Sequence, residues 1–129
     1  FAGGWTSRLS AHRWRLTMAW FVKIEEGIVE KARFDAVVPA HLAWLGQLER
    51  EGHRPRSGYW ADRQGRSGDG AGGMLLFWAD DWTQAEQLVR SDPLIVGGCV
   101  RWTLHEWRLV HGALPATQEW NSSTSPELS

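Results

Sequence analysis

His41 and Asp92 are a histidine and a carboxylate, residue types that suit proton transfer. An imidazole gives or takes a proton near neutral pH, and a carboxylate beside it fixes which ring nitrogen carries that proton. On a helix advancing about 100° per residue, His41 falls inside the apolar arc of Val38, Leu42, Trp44, Leu45 and Leu48. An imidazole there is either a satisfied core group or the floor of a pocket. Asp92 stands directly before Pro93, and an aspartate in that position has a sufficient structural role as a helix cap. Each residue alone reads as structural; the pair reads as chemistry only if the fold joins them.

Other chemistry finds less support. His12, His53, His105 and His111 show no metal-ligand spacing with acids or cysteine, whereas a metal site needs three or four converging ligands. No nucleotide fingerprint and no serine elbow is present, so neither metal nor cofactor is expected. The stretch Ala61 to Gly73 is rich in glycine, but it leads into a strand and holds no lysine, unlike a phosphate loop. It is expected to be a hairpin connection. Cys99 is the only cysteine. It forms no intrachain disulfide, suits a reducing cytoplasm, and reads as a small buried hydrophobe unless His41 lies beside it.

Elements able to hold these residues follow from the apolar pattern. Hydrophobic residues make up 43% and charged residues 22% of 129 positions, which fits one globular domain. Trp20, Phe21, Val22 and Ile24 predict a strand over Met18 to Ile24. Val38, Leu42, Leu45 and Leu48 predict a helix over Val38 to Glu51, with Lys31 to Val37 as a possible separate turn broken off at Pro39. Strands are expected over His53 to Trp60 and Met74 to Ala79. A helix is expected over Gln84 to Arg90, begun by a Thr83–Glu86 capping box. Asp92-Pro93 opens another short turn that Gly97 and Gly98 end, and a last strand runs from Val100 to Val110.

The order βαββαβ implies an α+β, ferredoxin-like fold: a four-stranded antiparallel sheet with two helices on one face. The other face is left bare. In the third strand Met74, Leu76 and Trp78 point one way and Leu75, Phe77 and Ala79 the other, so both sides call for burial. An identical subunit is the simplest cover, and a homodimer through the open sheet face is expected.

The formal net charge of -1 offers no basic face for nucleic acid or an anionic membrane. No apolar run approaches the roughly 18 residues that span a bilayer. Residues 1–17 carry Arg8, Arg13 and Arg15 without an acid; they read as an N-terminal extension or a targeting segment. The domain is expected over 18–112, and 113–129 as a tail. Asn121-Ser122-Ser123 matches a glycosylation acceptor, but no secretory signal accompanies it.

Pro39-Ala40-His41-Leu42, Ser57-Gly58 and Asp92-Pro93-Leu94 through Gly97-Gly98, in this order and near these separations, resemble the YciI-like (YCII-related) family pattern. The resemblance covers about Met18 to Val110. It implies a ferredoxin-like fold dimerising as a dimeric α+β barrel, with His41 as general acid or base and Asp92 as its orienting partner. Lyase, isomerase or hydrolase chemistry on a small molecule would follow; a ligand-binding or structural dimer is the alternative. The family often carries an arginine shortly before its Pro-Ala-His segment, where this chain has Val37 and Val38 and the nearest candidate is Arg33. Its Gly-Pro after the second strand is Gly58-Tyr59 here. Together with ten tryptophans, these departures point to a flat or aromatic ligand near Ser57 and Gly58, stacked on Trp44, Tyr59 or Trp60.

Overall fold

The apolar run after Met18 becomes a central strand with partners on both sides. In the computed structural model, which describes residues 18–61 and 72–114, β1 (Ala19–Gly27) lies between β3 (Gly72–Ala79) and β4 (Val100–Trp107). The short β2 (Arg56–Tyr59) is the edge strand beside β3, giving the order β2-β3-β1-β4 with every neighbouring pair antiparallel. Among the described residues three helices accompany the sheet: α1 (Lys31–Arg50), α2 (Trp82–Arg90) and α3 (Pro93–Val96). This is the α+β, ferredoxin-like arrangement that the sequence predicts.

Strand periodicity decides which side chains meet the helices, because successive residues point to opposite faces. Phe21 pairs with Phe77, and Lys23 stands between Leu75 and Leu104. These residues share one face with Ala79 and Val100. Leu48 from α1, and Ala85 and Val89 from α2, join Phe21, Leu75, Phe77 and Leu104 in one buried cluster. A second cluster of Phe34, Leu94, Cys99 and Val100 packs α3 under the start of α1. Cys99 is fully buried there, as a small hydrophobe would be.

The opposite face keeps its apolar residues without helical cover. Trp20 and Trp78 meet edge to face at 5.2 Å. Val22, Ile24, Met74, Leu76, His105 and Trp107 line a concavity of about 350 Å³, with Ile24, Met74 and Trp107 each about 40% exposed.

Several boundaries differ from expectation for physical reasons. α1 is one helix from Lys31, continuous through Pro39. The proline removes one backbone donor, but Phe34, His41 and Leu48 are its buried residues, spaced on one stripe, so packing on both sides of Pro39 holds the segment together. α2 begins at Trp82, and its cap is Asp81, whose Oδ1 accepts from Gln84 N at 2.9 Å. Thr83 lies inside the helix rather than capping it. β2 is reduced to four residues, and β4 ends at Trp107. Gly73 permits the β2–β3 approach, since a Cβ there would lie 2.2 Å from Gly58 O. The expectations for residues 1–17, for most of the 61–73 loop and for the tail beyond 114 fall outside the described residues. No helix among the described residues is long and apolar enough to cross a membrane.

Candidate functional site

Two helices bring His41 and Asp92 together. His41 lies on the buried stripe of α1, and Asp92 caps α3, its Oδ1 accepting from Leu94 N at 2.9 Å. His41 Nδ1 lies 2.8 Å from the same Oδ1. The second oxygen, Oδ2, accepts from Lys23 Nζ at 2.6 Å. Asp92 is wholly buried and His41 nearly so. The cap and the histidine contact thus share one carboxylate.

Burial by itself would raise the Asp92 pKa, because a low-dielectric surround disfavours the charged form. The hydrogen bond with His41, and the charge and hydrogen bond of Lys23, outweigh that effect and hold the carboxyl below its ordinary value. An ionised carboxylate only accepts hydrogen bonds, so the neutral His41 ring carries its proton on Nδ1. Nε2 is then the ring nitrogen left without a proton, on a residue that lines a cleft.

Lys23 and Glu25 were not legible as site residues. Lys23 is 1% exposed and also lies 2.7 Å from Glu25 Oε1. That contact is an ion pair, and Glu25 Oε1 is buried with no hydrogen-bond partner in addition to it. The ammonium group stands 5.7 Å from the centre of the Trp44 ring, which stacks on His41 at 5.8 Å. Lys23 thereby stands between the Asp92 carboxylate, the Trp44 ring behind His41 and Glu25 in the cleft wall. The missed signal was phase: Lys23 and Glu25 alternate with Phe21 on the helix-facing side of β1.

The cleft has a volume of about 350 Å³. Phe34, Val38, Leu42, Leu45, Tyr59 and Leu94 give it an apolar body, while His41, Glu25, Ser57 and the Lys31–Asp35 ion pair supply polar groups. Ser57, Gly58 and Tyr59 of β2 therefore meet His41 at one site. The remaining expected ligand-contacting residues lie elsewhere. Trp44 sits behind His41, its Nε1 donating to Ser91 Oγ at 2.9 Å. Arg33 donates to Gly97 O at 2.7 Å, tying α1 to the end of α3. Trp60 lines a separate concavity with Ile24, Glu26 and Arg101. A larger hollow of about 500 Å³ at the far end of the sheet, lined by Trp20, Trp78, Trp82 and Trp107, lacks a histidine–carboxylate pair.

Among the described residues, no group of three or more His, Cys, Asp or Glu side chains is placed to hold a metal ion. The arrangement is chemically that of an oriented imidazole at the wall of a cleft of mixed polar and apolar lining, with its charge partner buried behind it. Comparison with curated proteins found no match. The model of the YCII-related domain, however, matches residues 17–108, and the chain belongs to that family.

Proposed function

We propose that this YCII-related domain is a small-molecule enzyme in which His41 acts as the general acid or base and Asp92 orients its ring. The reaction is of the lyase, isomerase or hydrolase type, and the substrate is a small, flat or aromatic molecule held in the cleft beside Ser57, Gly58 and Tyr59. The observation that carries this reading is the 2.8 Å contact between His41 Nδ1 and a fully buried Asp92, at the wall of a cleft of ligand size. A base must lie within hydrogen-bond reach of the proton it takes, and an imidazole held in one tautomer meets that need. The test is turnover across a panel of small aromatic and lactone substrates. His41→Ala should lose at least about 10²-fold in rate, the usual share of one acid–base group, with its fold intact; undiminished turnover contradicts the reading.

The protein works as a homodimer whose subunits meet through the open sheet face. Support comes from the exposed Ile24, Met74 and Trp107 there, an apolar area that a second copy would cover. The lone buried Cys99 suits a cytoplasmic setting.

One observation favours a non-catalytic reading, a ligand-binding or structural dimer. Asp92 already has structural work, since it caps α3 and neutralises Lys23. On that reading Asp92→Asn destabilises the fold while leaving ligand behaviour unchanged.

A further inference from the structure

The charges at the His41 cleft are unevenly matched. Glu25, Lys31 and Asp35 lie in its wall, and Lys23 and Asp92 lie beneath it. Three carboxylates thus face two ammonium groups. Both ammonium groups are engaged: Lys23 is sealed between Asp92 and Glu25, and Lys31 pairs with Asp35. Arg33 is turned onto Gly97 O. An anionic ligand entering the cleft would meet a net negative lining in which both lysines already have carboxylate partners.

Glu25 is the unmatched acceptor. Its Oε1 is buried 2.7 Å from Lys23 Nζ and has no hydrogen-bond partner beyond that ion pair. The side chain lines the cleft and is 11% exposed. A carboxylate oxygen has room for about two donors, and one held in a low-dielectric wall gains most from a donor that a ligand brings. Phe34, Val38, Leu42, Leu45 and Leu94 line the cleft beside these polar groups, so the ligand that fits has an apolar body as well as a polar group.

We propose that Glu25 sets the selectivity of this cleft: it takes an uncharged ligand with an apolar body and one O–H or N–H group that donates to Glu25, and it rejects carboxylates. The inference rests on the reading of His41 as the proton-transfer group. In the step it serves, Nε2 of the neutral ring takes a proton from the ligand, and the bonding electron pair stays on the ligand atom that released it. The ring becomes imidazolium against Asp92. A ligand that arrives neutral therefore adds no charge to the cleft before this transfer, and the transfer itself leaves the total unchanged.

The test uses three probes sharing one ring: benzyl alcohol, benzyl methyl ether, which lacks the donor, and benzoate. Each is titrated at pH 7 into the full chain, following the His41 ring and the Ser57–Tyr59 amides by NMR. Benzyl alcohol should bind about tenfold more tightly than either other probe, the worth of one hydrogen bond to a charged group. Glu25→Gln should erase the margin over benzoate. Lys31→Met, at an exposed position, is the second variant. Any benzoate affinity anchored by Lys31 would fall with it, and the proposal expects none to lose. Benzoate binding as tightly as the alcohol, or an unchanged margin in Glu25→Gln, overturns the assignment while leaving His41 its role. Silence of the His41 ring toward all three probes overturns this inference together with the reading beneath it.

Discussion

Asp92 carries two loads on one carboxylate: it caps α3 through Leu94 N and contacts His41 Nδ1 through the same oxygen. Replacing it with asparagine keeps the shape but turns an amide N–H group toward the Lys23 ammonium, or removes an acceptor from His41. Asp92→Asn should cost about 1–3 kcal/mol, the penalty of an unmatched buried polar group, read from urea unfolding. The pH dependence has a definite sign. The folded carboxyl lies below its ordinary pKa, so its stabilisation is complete above about pH 4 and is lost as pH falls through the lower folded value. The stability gap between wild type and Asp92→Asn should therefore narrow below about pH 4; a gap that widens in acid contradicts the assignment. At this scale the sequence was informative about His41 and Asp92, because helical phase and the Asp-Pro step limit what each can be. It was uninformative about Lys23, since a strand lysine ordinarily faces water and only its alternation with Phe21 marks it as buried.

Elements were legible where burial imposes a period and less so where a single side chain sets an end. β3 and β4 follow their alternation closely, with Leu75, Phe77, Ala79, Val100 and Leu104 buried. The start of α2 was misassigned because Thr83–Glu86 and Asp81–Gln84 both offer a capping geometry two residues apart, and short-range pattern does not rank them. The structure gives the role to Asp81. Asp81→Ala should cost about 0.5–2 kcal/mol and Thr83→Ala distinctly less in thermal or urea unfolding; the reverse order would restore the Thr83 cap. α1 illustrates the opposite case. Pro39 is a strong local break signal, yet tertiary contacts of Phe34 ahead of it and Leu48 beyond it override that signal. The unbroken helix matters for the site, because it carries Phe34, Val38, His41 and Leu45 along one wall of the cleft.

On the scale of the molecule, the sheet has two unlike faces. One is covered by helices and holds the His41 cleft at its edge. The other exposes Ile24, Met74 and Trp107 around an apolar hollow. If the two copies meet there, Ile24→Arg should leave each subunit folded and shift sedimentation from the dimer to the monomer mass, since a charge buried without a partner disfavours association. A dimer that survives this change must use another surface. The apolar character of both faces was legible in the sequence, because Met74 to Ala79 is apolar at every position. The convergence of β2 with α1 was not, since it depends on register and on Gly73 admitting Gly58 at close range.

The central claim is that His41 is held as an Nδ1–H ring by Asp92, leaving Nε2 for a substrate. The most direct measurement is a long-range ¹H–¹⁵N NMR spectrum of the His41 ring at a pH where it is neutral, in wild type and Asp92→Asn. The account predicts an Nδ1–H tautomer in wild type, a changed tautomer balance in the variant, and an Nε2 signal that moves when benzyl alcohol is added. An Nε2–H ring in wild type, or a ring indifferent to both Asp92 and ligand, would contradict it.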